Sequence, residues 1–497
     1  MKVIEALEKL FPGWALKRKQ VDSFQRYYDA GYSSQYFKRP AGGNSSADSV
    51  VTTANLHLRA IARYLDENSS TGHGVLDTLE KKVVGSGLDL RLRIKNKNGK
   101  LNERLIRDIQ ELWWDYCQAP EVTRELSMPE MQRLAFRSAC RDGEMLAHFV
   151  RGTNRIREAT RVPFAVELLE ADYLPYETYA DRANGRRVIQ NSVEKDAWGR
   201  PVAFHLYKQH PGSGGSDYQW QDPETKRVNA DDMIHFKFVT RLRQTRGVTL
   251  LAPALRTLES EKDYQESELV AARVNAALTA MITKSTDFAQ APVDETSGKR
   301  TIDMVPGAIL DDLLPGEGVQ MVGADRPNAN MGEFLKTLSR NIASGTRTSY
   351  SNISKDYQSG TYSSQRQEMV ESKIDYDTLR TQFINDFMTP IYREFLQTAV
   401  MSNLLRIPST VDRRTLLSPE WSAPPQPWID PKKEADAWIA MHDAGVMSKS
   451  EIVEARGTDL NRLYTDRAME KESEEQLGLA MDEPKQPEQS SATETED

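Results

Sequence analysis

An α+β architecture is what this sequence predicts, and three observations carry it. Between residues 144 and 239, short apolar–polar alternations are separated only by turn-like stretches. No helical crossover divides them, so the strands are expected to pair antiparallel. On either side, apolar residues return at three- and four-residue steps, the spacing of amphipathic helices. Two of these helical stretches, near 250–283 and 363–400, are far longer than an ordinary globular helix.

Residues 1–50 mix aromatics with bases: Phe24, Arg26, Tyr27, Tyr28, Tyr32, Tyr36, Phe37, Lys38 and Arg39. Two readings fit this arm, packing on a neighbouring subunit or stacking on nucleic acid, and the first is preferred. From Asn55 to Val84 the steps of Leu58, Ile61, Leu65, Val75, Leu76, Leu79 and Val83 predict a helix, which Gly85-Ser86-Gly87 ends. LDLRLRI alternates like a half-buried strand, and 101–117 and 128–141 read as helices. The strand candidates are 144–150, 164–170, 187–193, 202–207 and 233–239, with a turn at Asp196–Pro201. Met145, Ala147 and Phe149 should share one strand face.

Thr249 reads as the cap of a glycine-free helix over 250–283, which at about 1.5 Å per residue spans roughly 50 Å. Its middle, ESEKDYQESE, is too polar for a core. Residues 284–330 are Pro-, Gly- and Asp-rich, with short apolar pieces MVPGAIL and GVQMVG. A second helix covers 331–345. Residues 346–362, TRTSYSNISKDYQSGTY, are nearly all small, hydroxylated or amide and predict a long loop. The next helix starts near Ser363, with Tyr376, Leu379, Phe383, Phe387, Ile391 and Phe395 on one face and a kink expected at Pro390. After the Pro-rich link 418–428, Asp430-Pro431 starts a helix ending at Gly445, and Ser448 with Glu451 forms a capping box for one closed by Gly457. The acidic tail is disordered by composition.

Composition narrows the function classes. The chain has 497 residues, a formal net charge of −8 and a mean hydropathy of −0.62, with no apolar run long enough for a membrane helix. The charged N-terminus lacks a signal peptide's apolar core, so synthesis in the cytoplasm is expected. Cys117 and Cys140 are neither a disulfide framework nor a metal motif, and both are expected to be buried. The negative balance disfavours tight grip on a phosphate backbone but not a surface past which DNA slides.

Catalytic motifs are missing. Gly99-Lys100 and Gly298-Lys299 lack the glycine spacing and the Ser/Thr of a phosphate loop, and there is neither HExxH nor GxSxG. His205 and His210 are not at a helical metal-ligand spacing. The acidic pairs Asp231-Asp232 and Asp311-Asp312 read as solvated turns rather than as nuclease ligands. Neither a cofactor nor a metal is expected, and the chain is not read as an enzyme.

Taken in order, LRAIARYLDENSSTGHGV, VVGSGL, ELLEADYL, DAWGRPVAFHLY, QTRGV with ELVAAR, LLPGEG, IASGTRTSYSNISKDY, TYSSQR and WIDPKKEADAWIAMHDAGVMSKSEIVEARG resemble the lambda-type portal proteins of tailed bacteriophages. The resemblance covers roughly residues 20–470 and departs in a short N-terminus that is not glycine-rich. It implies a portal-type subunit: an arm (1–50), a wing of helices and antiparallel strands (51–249), a first stem helix (250–283), a clip (284–330), a second stem helix (331–345), a tunnel loop (346–362), a long wing helix (363–417) and a helical crown (418–480), before the tail (481–497). It further implies a homo-oligomeric ring of about twelve at one capsid vertex of the virion, made in the host cytoplasm. The ring would pass double-stranded DNA without sequence specificity and meet the terminase large subunit, the major capsid protein and the head–tail connector. Candidate DNA-channel residues are Arg347, Ser351, Asn352, Ser354, Lys355, Asp356 and Gln358, and candidate docking residues in the clip are Asp311, Asp312 and Glu317. Twelve copies would carry roughly −96 in total, a field that does not hold DNA. The rival readings are another head–tail adaptor or minor capsid protein, and a packaging nuclease–ATPase.

Overall fold

The computed structural model describes residues 45–152, 160–176, 179–181, 187–212, 224–277, 281–284, 317–320, 330–357, 361–424, 431–458 and 460–477. Residues 51–497 form one compact unit and residues 1–50 another, of which only 45–50 are described. The N-terminal arm and the acidic tail lie outside the described residues.

The first predicted helix is two. α1 (Ala47–Asn68) and α2 (Ser70–Val83) are separated by Ser69, whose extended backbone and hydroxyl, accepting from Gly72 N, cap α2. β1 (Asp89–Arg91) covers only the start of LDLRLRI. α3 (Glu103–Cys117) and α4 (Met128–Asp142) fall where the apolar spacing places them. Ser127 and Glu130 form a capping box at the start of α4, and Gly143, at φ +90°, ends it.

β2 (Glu144–Arg151), β3 (Phe164–Leu169) and β9 (Met233–Lys237) make a three-stranded antiparallel sheet in the order β3-β2-β9. Between β3 and β9 runs a five-stranded antiparallel meander: β4 (Tyr179–Asp181), β5 (Arg187–Gln190), β6 (Val193–Lys195), β7 (Pro201–Tyr207) and β8 (Thr225–Asn229). The stretch 187–193, expected as one strand, turns at Asn191-Ser192. Both residues have positive φ, +51° and +62°, so the two-residue hairpin has the right-handed twist its strands need.

β2 divides two cores. Met145, Ala147 and Phe149 face the larger, as expected, while Leu146 faces a smaller one with Leu174, Phe204, Leu206 and Val228. The larger core is aromatic. Trp113 stands edge-on to Tyr392, Phe395 and Trp421, and Phe383 meets Phe136, Phe236 and Phe387.

α5 (Leu255–Ala277) is shorter at both ends than the expected 250–283. Residues 250–254 are turns, and Met281–Lys284 is a strand, β10, paired antiparallel with β11 (Glu317–Gln320). α6 (Met331–Gly345) matches the second expected helix and packs on α5 through Tyr264 and Phe334, ring centroids 4.9 Å apart. The expected loop 346–362 instead contains a short helix, α7 (Tyr350–Ser354). α8 (Tyr362–Phe383) and α9 (Thr389–Met401) are joined through a π-helical turn, Ile384–Met388. Pro390 has no N–H and its ring crowds the carbonyl four residues back, and the wide turn sits at that point in the ladder.

α10 (Arg413–Leu416) leads to β12 (Glu420–Ser422), which pairs antiparallel with β1. α11 (Pro431–Asp443) and α12 (Lys449–Ala455), with its Ser448–Glu451 capping box, lie as expected. α13 (Leu460–Leu477) was not foreseen, because its sequence is too uniformly charged to show an apolar stripe. Cys140 is buried and Cys117 only half-buried, and both thiols are free. No described helix is long and apolar enough to cross a membrane.

Candidate functional site

Two features stand out: a buried ionic hub that fixes the start of α5 to the sheets, and the hydroxyl-rich segment between α6 and α8. The hub is centred on Glu144, the first residue of β2. Its carboxylate takes the Arg246 guanidinium at 2.6 Å, Arg59 at 3.2 Å, His235 Nε2 at 2.9 Å and the backbone N–H of Gly247 at 2.8 Å. Arg246 is fully buried and also donates to the carbonyls of Leu174 (2.8 Å), Pro175 (3.1 Å) and Ala171 (3.1 Å), with Tyr176 under its plane at 4.1 Å. Almost every donor of the fork is used, which is the condition under which a buried charge is tolerated. Glycine is required beside it: a Cβ on Gly247 would sit 2.0 Å from the Gly143 carbonyl oxygen, and Asn55 Nδ2 donates to the Gly247 carbonyl at 2.7 Å. Thr249 Oγ1 then donates to the Cys140 carbonyl, and Leu251 N donates to the Thr249 hydroxyl. The QTRGV stretch therefore ties α5 to α4 and β2.

Burial alone would raise the Glu144 carboxyl. Arg246, and then His235, override it and hold the group well below the usual carboxylate range. Burial and the nearby Lys237 push His235 down to about 4 against the pull of Glu144. His235 is therefore neutral near pH 7 and donates to Glu144. A histidine depressed in the fold takes up its proton more readily once unfolded. The stability it contributes is intact above about 6.5 and is lost as pH falls towards 4. Glu144 adds a loss of the same sign, starting only below its ordinary value of 4.5. From pH 7 to pH 4 the His235 part amounts to on the order of 2–3 kcal/mol. His235→Gln keeps an Nε2 donor without a titration, so the melting temperature should fall less steeply between pH 7 and pH 4.5. A slope equal to that of the parent chain would remove His235 from this account.

The hydroxyl-rich segment is ordered by its own side chains. Thr346 caps α6, its hydroxyl donating to the Ile342 carbonyl at 2.8 Å and meeting the Thr348 hydroxyl at 2.8 Å. Asn352 Nδ2 donates to Tyr376 OH, Ser351 N donates to Glu368, Ser354 Oγ donates to the Tyr350 carbonyl, and Tyr350 OH donates to Asp356 at 3.2 Å. Of the expected channel residues, Ser351, Asn352 and Asp356 are thus half-buried and engaged in the fold, while Arg347, Ser354 and Lys355 are exposed. Gln358 lies outside the described residues. Arg347 and Lys355 bracket α7 and both have left-handed backbones, φ +56° and +57°. That conformation costs a side-chain-bearing residue roughly 1 kcal/mol relative to glycine.

The clip candidates Asp311 and Asp312 lie outside the described residues, and of Glu317 only its place at the start of β11 is described. Asp231 and Asp232 form a 3-10 turn, and Asp232 pairs with Arg151 at 2.5 Å. The fold brings His210 to Glu170 (3.2 Å) and Asp172, a meeting that sequence spacing did not foretell. The acids are already answered by arginines: Arg63 donates to Asp172, and Arg141 lies 3.6 Å from Glu170. A cation would have to compete with both guanidinium groups.

A family model described as "Phage portal protein, lambda family" matches residues 37–380. The chain is 26% identical over 430 residues to the "Probable portal protein" of Halomonas phage phiHAP-1, covering 84% of this chain and 80% of that protein. It is 21% identical over 472 residues to "Portal protein B" of Escherichia phage lambda, covering 88% and 84%. Among solved structures, a chain in the neck of an empty gene transfer agent particle aligns with TM-score 0.44 and 14% identity, covering 84% of this chain and 95% of that one. A family match that spans the helices, both sheets, the QTRGV hub and the hydroxyl-rich segment takes in more than half of the chain. The chain belongs to the lambda family of phage portal proteins.

Proposed function

We propose that this chain is the repeating subunit of a portal ring of about twelve copies, set at one vertex of a tailed-phage capsid. It is a structural conduit rather than an enzyme. DNA is driven inward through it by the terminase large subunit and leaves through it at ejection, with the major capsid protein around it and the head–tail connector below. The family match carries this reading. The hydroxyl-rich segment supports it physically: residues 346–357 hold two exposed cations, Arg347 and Lys355, among neutral hydroxyl and amide groups. Such a surface touches phosphates without retaining them, because each neutralised phosphate adds affinity. In this reading Arg347, Ser354 and Lys355 face the bore. The clip, residues 284–330, is the docking surface for the terminase and then the connector, with Asp311, Asp312 and Glu317 as its acidic contacts.

Heterologous contacts that close on themselves give a ring. Native mass spectrometry and negative-stain imaging of the purified chain are expected to find a closed ring with a central hole. A strictly monomeric mass at micromolar concentration would overturn the proposal.

A further inference from the structure

Two exposed apolar stripes lie on helices that are otherwise well anchored. α8 joins the large core only from Tyr376 onward, and none of residues 363–375 is buried. A free helical stretch of that length is marginal in water and gains its stability from packing. Yet it presents Met369, Val370 and Ile374, the last two 53% and 66% exposed, at one- and four-residue steps on one side. Beside them stand the exposed cations Arg366 and Lys373. α5 turns one face to α6 through Leu258 and Tyr264, and its opposite side carries Leu269 and Val270, 58% and 56% exposed. Next to this second pair stand the exposed acids Asp263 and Glu266.

We infer that the α8 stripe of one subunit seats on the α5 stripe of the next copy in the ring. The inference rests on the portal reading above and names the contact that closes it. A heterologous interface joins two different patches of the same chain. These two complement each other in chemistry: an apolar pair flanked by cations against an apolar pair flanked by acids. Apolar burial supplies the affinity, and the opposite charges suppress stripe-on-stripe pairing of like helices. The contact also sets the first half of α8, and through Ser351–Glu368 the α7 segment, against the neighbour's stem helix.

The test uses the full-length chain carrying Val270→Cys together with Val370→Cys, treated with a short bismaleimide. Burial holds the native Cys117 and Cys140 thiols well above their usual pKa, so neither competes. The expected result is a ladder of covalent oligomers reaching ring size, absent from either single-cysteine variant. Rings in negative stain without a ladder would overturn the contact and leave the portal reading standing. No rings from the unsubstituted chain would overturn the portal reading, and the contact with it. If the cysteines themselves block assembly, charge reversal decides. Arg366→Glu with Lys373→Glu should raise the concentration for half-assembly about threefold or more, and adding Asp263→Lys with Glu266→Lys should restore it. Reversal without effect, or without rescue, overturns the contact.

Discussion

Arg246→Leu is expected to cost about 3–5 kcal/mol of folding stability, the usual result of removing one partner from a buried ion pair. Glu144 would keep Arg59 and His235, but the carbonyls of Ala171, Leu174 and Pro175 would lose the donor that the structure aims at each of them. Buried acceptors without donors carry their own penalty, about 1–3 kcal/mol apiece at the upper end. Arg246→Lys should recover only part of the loss, because an ammonium can meet Glu144 but cannot span the three carbonyls in the plane of the fork. The measurement is the denaturant midpoint of each variant at pH 7. A leucine variant within 1 kcal/mol of the parent, taken as the least change that would matter here, would mean that the hub does not hold α5 to the sheets.

That hub could not be read from the sequence, and the reason is physical. Arg59, Glu144, His235 and Arg246 are separated by 85 to 102 positions in the pairs they form around Glu144, and each alone is an ordinary polar residue in an ordinary element. QTRGV contributes to the family resemblance, but its chemistry appears only when β2 and β9 lie side by side. Local signals were read well. The apolar spacing gave α3, α4 and α6, and Ser448 with Glu451 marked the start of α12, because these depend on residues three or four apart. Turns without glycine were missed. Ser69 broke one expected helix by taking an extended backbone, and Asn191-Ser192 bent one expected strand into a hairpin. α7 was missed for a related reason. Its residues are poor helix formers, and it exists because Glu368, Tyr376 and Asp356 hold it from outside.

The same ordering sharpens the test of the bore. Asp356 accepts from Tyr350 OH, so a change there would disturb the fold along with the charge. Ser354 is exposed at the end of α7, and its hydroxyl serves only local bonds, to the Tyr350 carbonyl and from Asp356 N. Ser354→Lys places a second cation beside Lys355 in every subunit, and Ser354→Gln loses the same local bonds without adding charge. If the segment faces DNA, the lysine variant should hold the genome more tightly and release it more slowly, while the glutamine variant should behave like the parent. Each phosphate neutralised steepens the fall of log affinity with log salt by about 0.9. Two engaged lysines out of a ring of about twelve would thus make the slowing roughly tenfold larger at 50 mM than at 200 mM salt. The measurement is the ejection rate and the packaged DNA length of particles assembled with each variant, across that salt range. Equal rates for the lysine and glutamine variants at every salt concentration, in particles that assemble normally, would place residues 346–357 away from the DNA path.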